Sequence, residues 1–142
     1  MIIRKLTVKD YDALIKLWND AGLPYKPQGR DRRNEIESQL KQPNTLYLVA
    51  VIGDRIFGSI LGTHDSRKGW INRLAVSPSY RKKGIAAKLV KAVEKRFSEL
   101  GIDIMACMVE DWNTMSLQVF ERLGYERHPD IAYFSKRKNP EV

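Results

Sequence analysis

The stretch Ser77–Val90, SPSYRKKGIAAKLV, sets three cations against a glycine at the start of a helical pattern. Arg81, Lys82 and Lys83 precede Gly84, and apolar residues then recur at helical spacing. The helix dipole puts partial positive charge at this end, so acidic side chains are favoured there and basic ones are not. A bound polyanion would offset the repulsion, and the stretch therefore indicates a phosphate site.

The backbone of such a turn supplies what an anion needs. The first N–H groups of a helix have no partner inside it and point outward. Gly84 has no side chain to hold an anion away, and Ala86 is small. The alternative is a set of surface cations ahead of a helix that packing stabilises. The turn is neither a Walker loop nor a dinucleotide-binding fingerprint, since GxxxxGK[ST] and GxGxxG are absent.

Length and composition indicate one domain over residues 1–142, with 43% hydrophobic residues to form its core. Cys107 is the only cysteine, which excludes an internal disulfide and suits a reducing cytoplasm. No apolar run is long enough to span a bilayer, and MIIRKLTV is too short and charged for a secretory signal. We therefore expect a cytoplasmic protein without membrane contact.

The net charge of +8 concerns partners rather than fold. It fits a solvated cationic surface, a small polyanion or a nucleic acid. The sequence has no zinc-binding pattern and no glycine-aromatic motif of the RNA-recognition type. A nucleic-acid binder therefore rests on charge alone and is the weakest of these hypotheses.

The first half of the chain predicts a strand, two helices and a hairpin. MIIRKLTV is the first strand, and Asp10 caps a helix that Gly22 and Pro24 end. A weaker helix is expected over Asp31–Leu40, after a loop rich in proline and glycine. Two β-rich runs flank Gly53-Asp54, a pair typical of tight hairpin turns.

The second half predicts further strands alternating with helices. GWINRLAV is a strand, and an amphipathic helix begins near Ile85. IDIMACMV reads as a strand buried on both faces. Asn113 begins a helix that Gly124 and Tyr125 end as a Schellman motif, and IAYFSKR is the last strand. The order favours one α/β domain.

Four segments in register resemble the GNAT superfamily of N-acetyltransferases, in its bacterial and archaeal single-domain form. RKKGIA, at Arg81–Ala86, matches that family's Arg/Gln-x-x-Gly-x-Gly/Ala signature. INRLAVSPSYR, NTMSLQVFERLGYE and GDRIFGSILG are similar to its fourth strand, its Asn-led helix and its second and third strands. The resemblance implies a mixed α/β fold whose mostly antiparallel, twisted sheet of about seven strands splays between strands 4 and 5, with about four flanking helices.

The resemblance also implies an activity and a cosubstrate. Acetyl-coenzyme A would donate its acetyl group, by direct attack in a ternary complex, to a primary amine of a protein N-terminus, a lysine or a small molecule. No metal is implied. Main-chain groups of the fourth strand would hold the pantetheine arm and polarise the thioester carbonyl. The implied cofactor-binding residues are Leu74, Ala75, Val76, Arg81, Lys82, Lys83, Gly84, Ile85, Ala86, Asn113, Ser116 and Phe120.

Several of these assignments have simpler alternatives. For Asn113, a plain helix cap stands equally beside contact with the cofactor. For Ser116, the alternative is an ordinary polar position on the helix. Phe120 stands where many relatives have a tyrosine that protonates the departing thiolate. A phenyl ring cannot donate that proton. This departure leaves open a second hypothesis, a catalytically idle protein that binds or senses acyl-coenzyme A.

The general base is open as well. Glu110 and Tyr133 are the candidate bases. The simpler alternatives are a solvated carboxylate at a strand end for Glu110 and ordinary sheet packing for Tyr133. For His64 and Asp65 the preferred interpretation is a surface turn. For Cys107 it is a buried, inert thiol rather than an acetyl carrier. Oligomeric state is not readable, so monomer and homodimer both stand.

Acceptor choice would come from the segments GLPYKPQGRD, HDSRKGW and ERHPDIAYF. Aromatic side chains of these segments are candidate walls of the acceptor site: Tyr25, Trp70 and Tyr133. Their cations would favour an acidic acceptor if they face that site, and otherwise simply face water: Lys26, Arg30, Arg67 and Lys68.

Overall fold

The computed structural model describes residues 1–142 and contains five strands and four α-helices. In chain order these are β1 (Ile2–Lys5), α1 (Tyr11–Ala21), α2 (Arg33–Leu40), β2 (Thr45–Ile52), β3 (Arg55–His64), β4 (Lys68–Val76), α3 (Ile85–Glu99), β5 (Ile104–Cys107) and α4 (Thr114–Arg122). Short 3-10 turns precede α1 at Val8–Asp10 and follow β4 at Pro78–Tyr80.

The strands form one sheet in the order β1-β2-β3-β4-β5. The first three pairings are antiparallel and β4 with β5 is parallel. Buried residues of α1 and α2 form a core on one face, and those of α3 and α4 form a core on the other. The mixed α/β fold is therefore confirmed.

The sheet opens between its last two strands. β5 pairs only with Lys68–Ile71 of β4, and the remainder of β4, residues 72–76, runs on without it. The chain then leaves the sheet after Cys107. This splay was expected between the fourth and fifth strands, and it produces the gap in which the candidate site lies.

Glycines of β3 and β4 face helix α3 and leave room for its side chains. A Cβ atom on Gly69 would lie 2.5 Å from Cδ2 of Phe97, and one on Gly62 would lie 2.7 Å from Cγ1 of Val93. Both distances are shorter than packed atoms tolerate. The missing side chains thus fix the height of α3 above β3 and β4, and with it the position of the turn at Gly84.

Most predicted boundaries are confirmed. Gly22 follows α1 in the left-handed conformation, and Gly53-Asp54 joins β2 to β3. At the end of α4 the Tyr125 N–H donates to the Phe120 carbonyl at 3.0 Å, and the two rings lie 5.0 Å apart. That bond and contact make the predicted Schellman motif.

Two strand predictions were wrong. The segment IAYFSKR forms no strand, so the sheet has five strands rather than about seven. Its main-chain groups have no neighbouring edge, because the chain past α4 crosses toward the loop between α1 and α2. The burial of IDIMACMV on both faces was wrong too. β5 is an edge strand, and Ile104 and Met108 are 54% and 53% exposed.

Asp10 and Asp31 lie near the predicted helix starts, but neither side chain caps α1 or α2. Asp10 occupies the cap position of α1 without capping it; its carboxylate binds the Arg4 guanidinium at 2.8 and 2.9 Å and the Thr7 N–H at 2.9 Å. The hydrogen bond from Arg4 lowers the pKa of Asp10. Helix α2 begins at Arg33, so Asp31 lies outside the helix, in the preceding turn.

A bulge in β4 marks the point where the sheet opens. Arg73 and Leu74 lie opposite Ile60 alone, because Ser59 pairs with Ala75 and Leu61 with Asn72. Arg73 takes φ of 55°, in the left-handed region that a non-glycine residue enters at a cost. Its carbonyl accepts a hydrogen bond from the buried Ser59 hydroxyl at 2.9 Å.

The side chain of Arg73 ties this bulge to the loop between α1 and α2. Its guanidinium donates to both carboxylate oxygens of Asp31, at 3.1 and 2.9 Å, and to the Pro24 carbonyl at 2.6 Å. It also lies 4.8 Å from the centre of the Trp18 ring. The Asp31 side chain is 5% exposed and accepts the Lys26 N–H at 2.7 Å. This buried ion pair holds the loop against β4.

We expect Asp31→Asn to lower the free energy of unfolding by about 3–5 kcal/mol, because it leaves the Arg73 charge buried and unpaired. Urea denaturation of wild type and variant measures the difference. The matched control is Lys16→Met, which breaks the exposed pair that Lys16 makes with Asp20 at 2.6 Å. It should cost less than about 1 kcal/mol. Equal losses in the two variants would contradict the anchoring role of the pair.

Candidate functional site

Two cavities adjoin at the opening of the sheet, and Leu23 lines both. The smaller one, about 180 Å³, lies among the end of α1, the end of β4 and the start of α4. The larger is an open cleft of about 1480 Å³ bounded by the α1–α2 loop, β4, the segment after β5, and α4. A small pocket therefore lies beside a wide cleft. The arrangement suits a long, thin ligand in the pocket and a second molecule in the cleft.

The turn before α3 presents a row of unused main-chain donors. The N–H groups of residues 81–84 donate no hydrogen bond within the chain, and the first helical bond runs from Lys88 to the Gly84 carbonyl. The N–H groups of residues 85–87 have no partner inside α3. Lys82 and Gly84 take φ of 63° and 79°, and nothing lies within 4 Å of a Cβ placed on Gly84. The turn is open to an anion and fits a phosphate group.

Among the cations, the structure separates Arg81 from the two lysines. The Arg81 side chain donates to the Val76 carbonyl at 3.3 Å and the Ala21 carbonyl at 3.0 Å, which joins the end of β4 to the end of α1. Lys82 and Lys83 are exposed, and the Lys83 Nζ lies 5.1 Å from the centre of the Tyr80 ring. The lysines are therefore free to meet phosphate oxygens, while most of the Arg81 guanidinium is already engaged.

Of the predicted residues on β4 and α3, two of those on β4 line the smaller cavity and those on α3 do not. Leu74 and Ala75 line it, and Val76 is buried beside them. β3 pairs along one edge of β4, so the other edge faces the opening. The side chains of Ile85 and Ala86 point into the core, which leaves only their main chain for a ligand.

At the start of α4, Asn113 acts as a cap and also reaches the site. Its Oδ1 accepts the N–H of Ser116 at 3.2 Å, and the residue lines the smaller cavity. The predicted cap is confirmed. Ser116 is buried and lines neither cavity, whereas Phe120 is 6% exposed and lies in the wall of the cleft.

Both predicted catalytic residues line the wide cleft. Glu110 follows β5 and is exposed. Tyr133 is 66% exposed and lies on the irregular chain after α4 instead of on a strand. His64 and Asp65 lie outside the cleft, at the β3–β4 turn, where N–H groups of Lys68 and Arg67 lower the pKa of Asp65.

Cys107 lines the cleft at the end of β5. Burial raises the pKa of its thiol to about 11. At neutral pH the sulfur is therefore protonated, and a neutral thiol is a poor nucleophile.

Two of the three proposed aromatic walls, Trp70 and Tyr133, lie in the cleft. Tyr25 instead faces Trp18, with ring centres 6.3 Å apart. Among the cations, Arg30 and Lys68 line the cleft, and the Lys68 ammonium lies 4.4 Å from the centre of the Trp70 ring.

The sequence did not single out Arg73, Asp31 or Leu23, all of which line the cleft. A charged residue inside the apolar strand GWINRLAV was a usable signal, because buried charges in strands are paired or mark bulges. Leu23 and Asp31 carried no comparable signal, since their position depends on how the loop folds back on β4. No group of three His, Cys, Asp or Glu side chains is placed to hold a metal ion.

None of the four α-helices combines the length and apolar character that crossing a membrane requires.

Comparison with solved structures finds the same fold in proteins of low sequence identity. A PaiA N-acetyltransferase from Thermoplasma acidophilum, in complex with coenzyme A, superposes with a TM-score of 0.80 at 20% identity, over 88% of this chain and 89% of that one. An aminoglycoside acetyltransferase from an uncultured soil metagenomic sample, in complex with sisomicin, gives 0.80 at 19% identity, over 97% and 96%. A transcriptional regulator from Bacillus halodurans gives 0.81 at 19% identity, over 96% and 98%.

A family model also matches the sequence of this chain. The model of the Acetyltransferase (GNAT) family matches residues 11–125, from the first residue of α1 to the tyrosine that closes the Schellman motif after α4. The match spans β2 to β5, the glycine turn and the whole lining of the smaller cavity. This chain belongs to the acetyltransferase (GNAT) family.

Proposed function

We propose that this single domain transfers an acetyl group from acetyl-coenzyme A to a primary amine, by direct attack in a ternary complex. The observation that carries the proposal is the row of unpartnered N–H groups in residues 81–87, which begins at Arg81 in the wall of the smaller cavity. Such a row suits the pyrophosphate of coenzyme A. Acetyl-coenzyme A is the cosubstrate of this family, and the first of the structural relatives above holds coenzyme A.

The residues around the smaller cavity would hold the cosubstrate. Main-chain donors of residues 81–87 face the diphosphate, and Lys82 and Lys83 add charge. The open edge of β4 at Leu74–Val76 pairs with the amides of the pantetheine arm, as an added strand would. Asn113 borders the same cavity. The side chains of Ile85, Ala86 and Phe120 support this seat by packing.

The thioester supplies an activated acetyl group to the cleft. The acceptor nitrogen forms a bond to the carbonyl carbon, the carbon–sulfur bond breaks, and its electron pair leaves on sulfur. A main-chain N–H of β4 near Leu74–Val76 stabilises the charge that develops on the carbonyl oxygen. The ammonium proton of the acceptor goes to a base before or during this step.

Glu110 is the proposed base. It lines the cleft, it is exposed, and its carboxylate is free of ion pairs. Tyr133 is proposed as an aromatic wall of the cleft rather than as the base. Phe120 cannot protonate the leaving thiolate, and the neighbouring Tyr125 hydroxyl already donates to Glu94 at 2.9 Å. Coenzyme A must therefore leave without a tyrosine donor at this position.

The proposed acceptor is an amine that fits an open cleft whose wall carries six carboxylates, among them Glu110, Asp111, Glu121 and Glu126, beside five Lys and Arg side chains. Carboxylates of this kind attract an ammonium group. One structural relative, an aminoglycoside acetyltransferase, was solved in complex with sisomicin. A small amine is thus the favoured acceptor over a protein N-terminus or a lysine side chain.

A second candidate function is an idle binder of acyl-coenzyme A, and Phe120 is the observation that favours it. The two functions differ in turnover. Steady release of free thiol from acetyl-coenzyme A in the presence of a panel of amines supports transfer. Tight coenzyme A binding without thiol release above the no-amine rate supports the binder.

We expect Lys82→Glu combined with Lys83→Glu to weaken coenzyme A binding. Two charge-assisted contacts are lost, and because each contributes about 1.5 kcal/mol, the Kd should rise at least tenfold, to roughly a hundredfold. Calorimetric titration with coenzyme A measures the change.

The matched control is Lys88→Glu combined with Lys91→Glu, an equal change of charge on exposed positions further along α3. A similar loss in the control would mean that the net charge of the protein, rather than the turn, governs binding. An unchanged Kd in the first variant would remove the basis of the proposed phosphate site.

We expect Cys107→Ala to keep the rate of acetyl transfer within about twofold, because a thiol with its pKa raised to about 11 is protonated at neutral pH and does not act as a nucleophile. The intact protein, mixed with acetyl-coenzyme A without acceptor, should show no added acetyl mass. A stable 42-dalton adduct on Cys107, roughly the mass of one acetyl group, would instead support a covalent route.

A further inference from the structure

The chain after α4 crosses the wide cleft and fastens to the far side. We name this segment, His128–Val142, the C-terminal strap. Its backbone has no regular structure, and six of its residues line the cleft: His128, Ile131, Ala132, Tyr133, Phe134 and Arg137. Its far end meets the α1–α2 loop, where the Arg30 N–H donates to the Glu141 carbonyl at 3.1 Å.

The last residues of the strap form a compact turn that presents the Glu141 carbonyl. The Asn139 side chain accepts the Glu141 N–H at 2.9 Å, and the Val142 N–H approaches the Asn139 carbonyl at 3.4 Å. The Arg137 guanidinium donates to the Val142 carbonyl at 2.7 Å. Three contacts within six residues therefore fix the docking end before it meets the loop.

The loop has a matching gap at Gly29. A Cβ atom on Gly29 would overlap the Glu141 carbonyl oxygen and lie 2.7 Å from both its carbonyl carbon and its Cβ. The φ angle of Gly29 lies outside the left-handed region, so its backbone does not itself require glycine. Only the strap explains why a side chain is excluded there. Gly29 is buried, although it lies in a surface loop, because the strap covers it.

The docking point is also rigid. Asp31, two residues on, is held by Arg73 of β4 and by the Lys26 N–H, and the N–H groups of Gly29 and Asp31 both donate to the Lys26 carbonyl. The strap therefore fastens to a loop that is itself fastened to the bulge beside the smaller cavity.

Three large apolar side chains stand on the strap with little protein cover: Ile131, Tyr133 and Phe134, which are 71%, 66% and 87% exposed. Exposed apolar clusters at a cleft mark surfaces that a ligand covers. We infer that the docked strap forms a wall of the acceptor cleft and limits the size of the molecule that enters. This inference rests on the proposed function for the identity of that molecule, a small amine; the docking itself does not depend on it.

Cys107 provides a probe, because it is the only cysteine and lines the same cleft. The experiment measures its rate of labelling by a small and by a bulky maleimide at pH 8. The raised pKa of the thiol slows both reactions alike, so the ratio of the two rates is the readout. The variants are Gly29→Ala, a chain that ends at Lys138, and the combination of both. The matched control is Gln28→Ala, a neighbouring exposed position that makes no main-chain hydrogen bond to the strap.

We expect Gly29→Ala and the shortened chain each to raise the ratio of bulky to small labelling about fivefold, since loss of one ordinary hydrogen bond shifts an equilibrium by about that factor. Gln28→Ala should leave the ratio unchanged. In the shortened chain, Gly29→Ala should add nothing, because its only target has been removed. Hydrogen exchange of the Arg30 N–H, which donates to the Glu141 carbonyl, should quicken in the same two variants.

An unchanged ratio in both variants would overturn the inference. So would a further rise on adding Gly29→Ala to the shortened chain, because the substitution would then act on the loop itself. Calorimetric titration with coenzyme A on the same proteins separates this outcome from the proposed function. Failure of the wild type to bind coenzyme A would refute the proposed function, while the labelling ratios would still decide whether the strap docks.

Discussion

The buried pair between Arg73 and Asp31 is the interaction on which the arrangement of the site depends. It joins the bulge of β4 to the α1–α2 loop across the mouth of the opened sheet. A left-handed arginine in a strand is unfavourable by itself. The carboxylate, the Pro24 carbonyl and the Trp18 ring together hold it there, and no buried polar atom of the pair lacks a hydrogen-bond partner. Both cavities share the loop that this pair positions.

The opening of the sheet follows from a mismatch between two neighbouring strands. β4 continues past the end of its pairing with the short β5, and its bulge turns the free part away. An unpaired strand edge is usually a liability, because its N–H and C=O groups invite another strand. Here that edge borders a cavity, so an extended ligand with amides can use groups that no strand of this chain occupies.

Charge distinguishes the two halves of the site. The lysines cluster at the turn before α3, where main-chain donors add to the positive potential. The wall of the wide cleft carries both signs, with six carboxylates and five Lys and Arg side chains, and Asp31 and Arg73 neutralise each other. The turn therefore attracts a polyanion, whereas the mixed charge of the cleft leaves carboxylates available to an ammonium group.

The sequence by itself determined the order of elements, the glycine stops, the hairpin and the glycine turn, because each depends on residues close together in the chain. RKKGIA predicted the donor-rich turn, and Gly124-Tyr125 predicted the end of α4. Only the tertiary structure decided that Arg73 meets Asp31, that IAYFSKR finds no strand to pair with, and that Gly29 receives Glu141. Those outcomes join residues 42 to more than 100 positions apart, and whether a β-rich segment becomes a strand depends on a partner edge that no local pattern encodes.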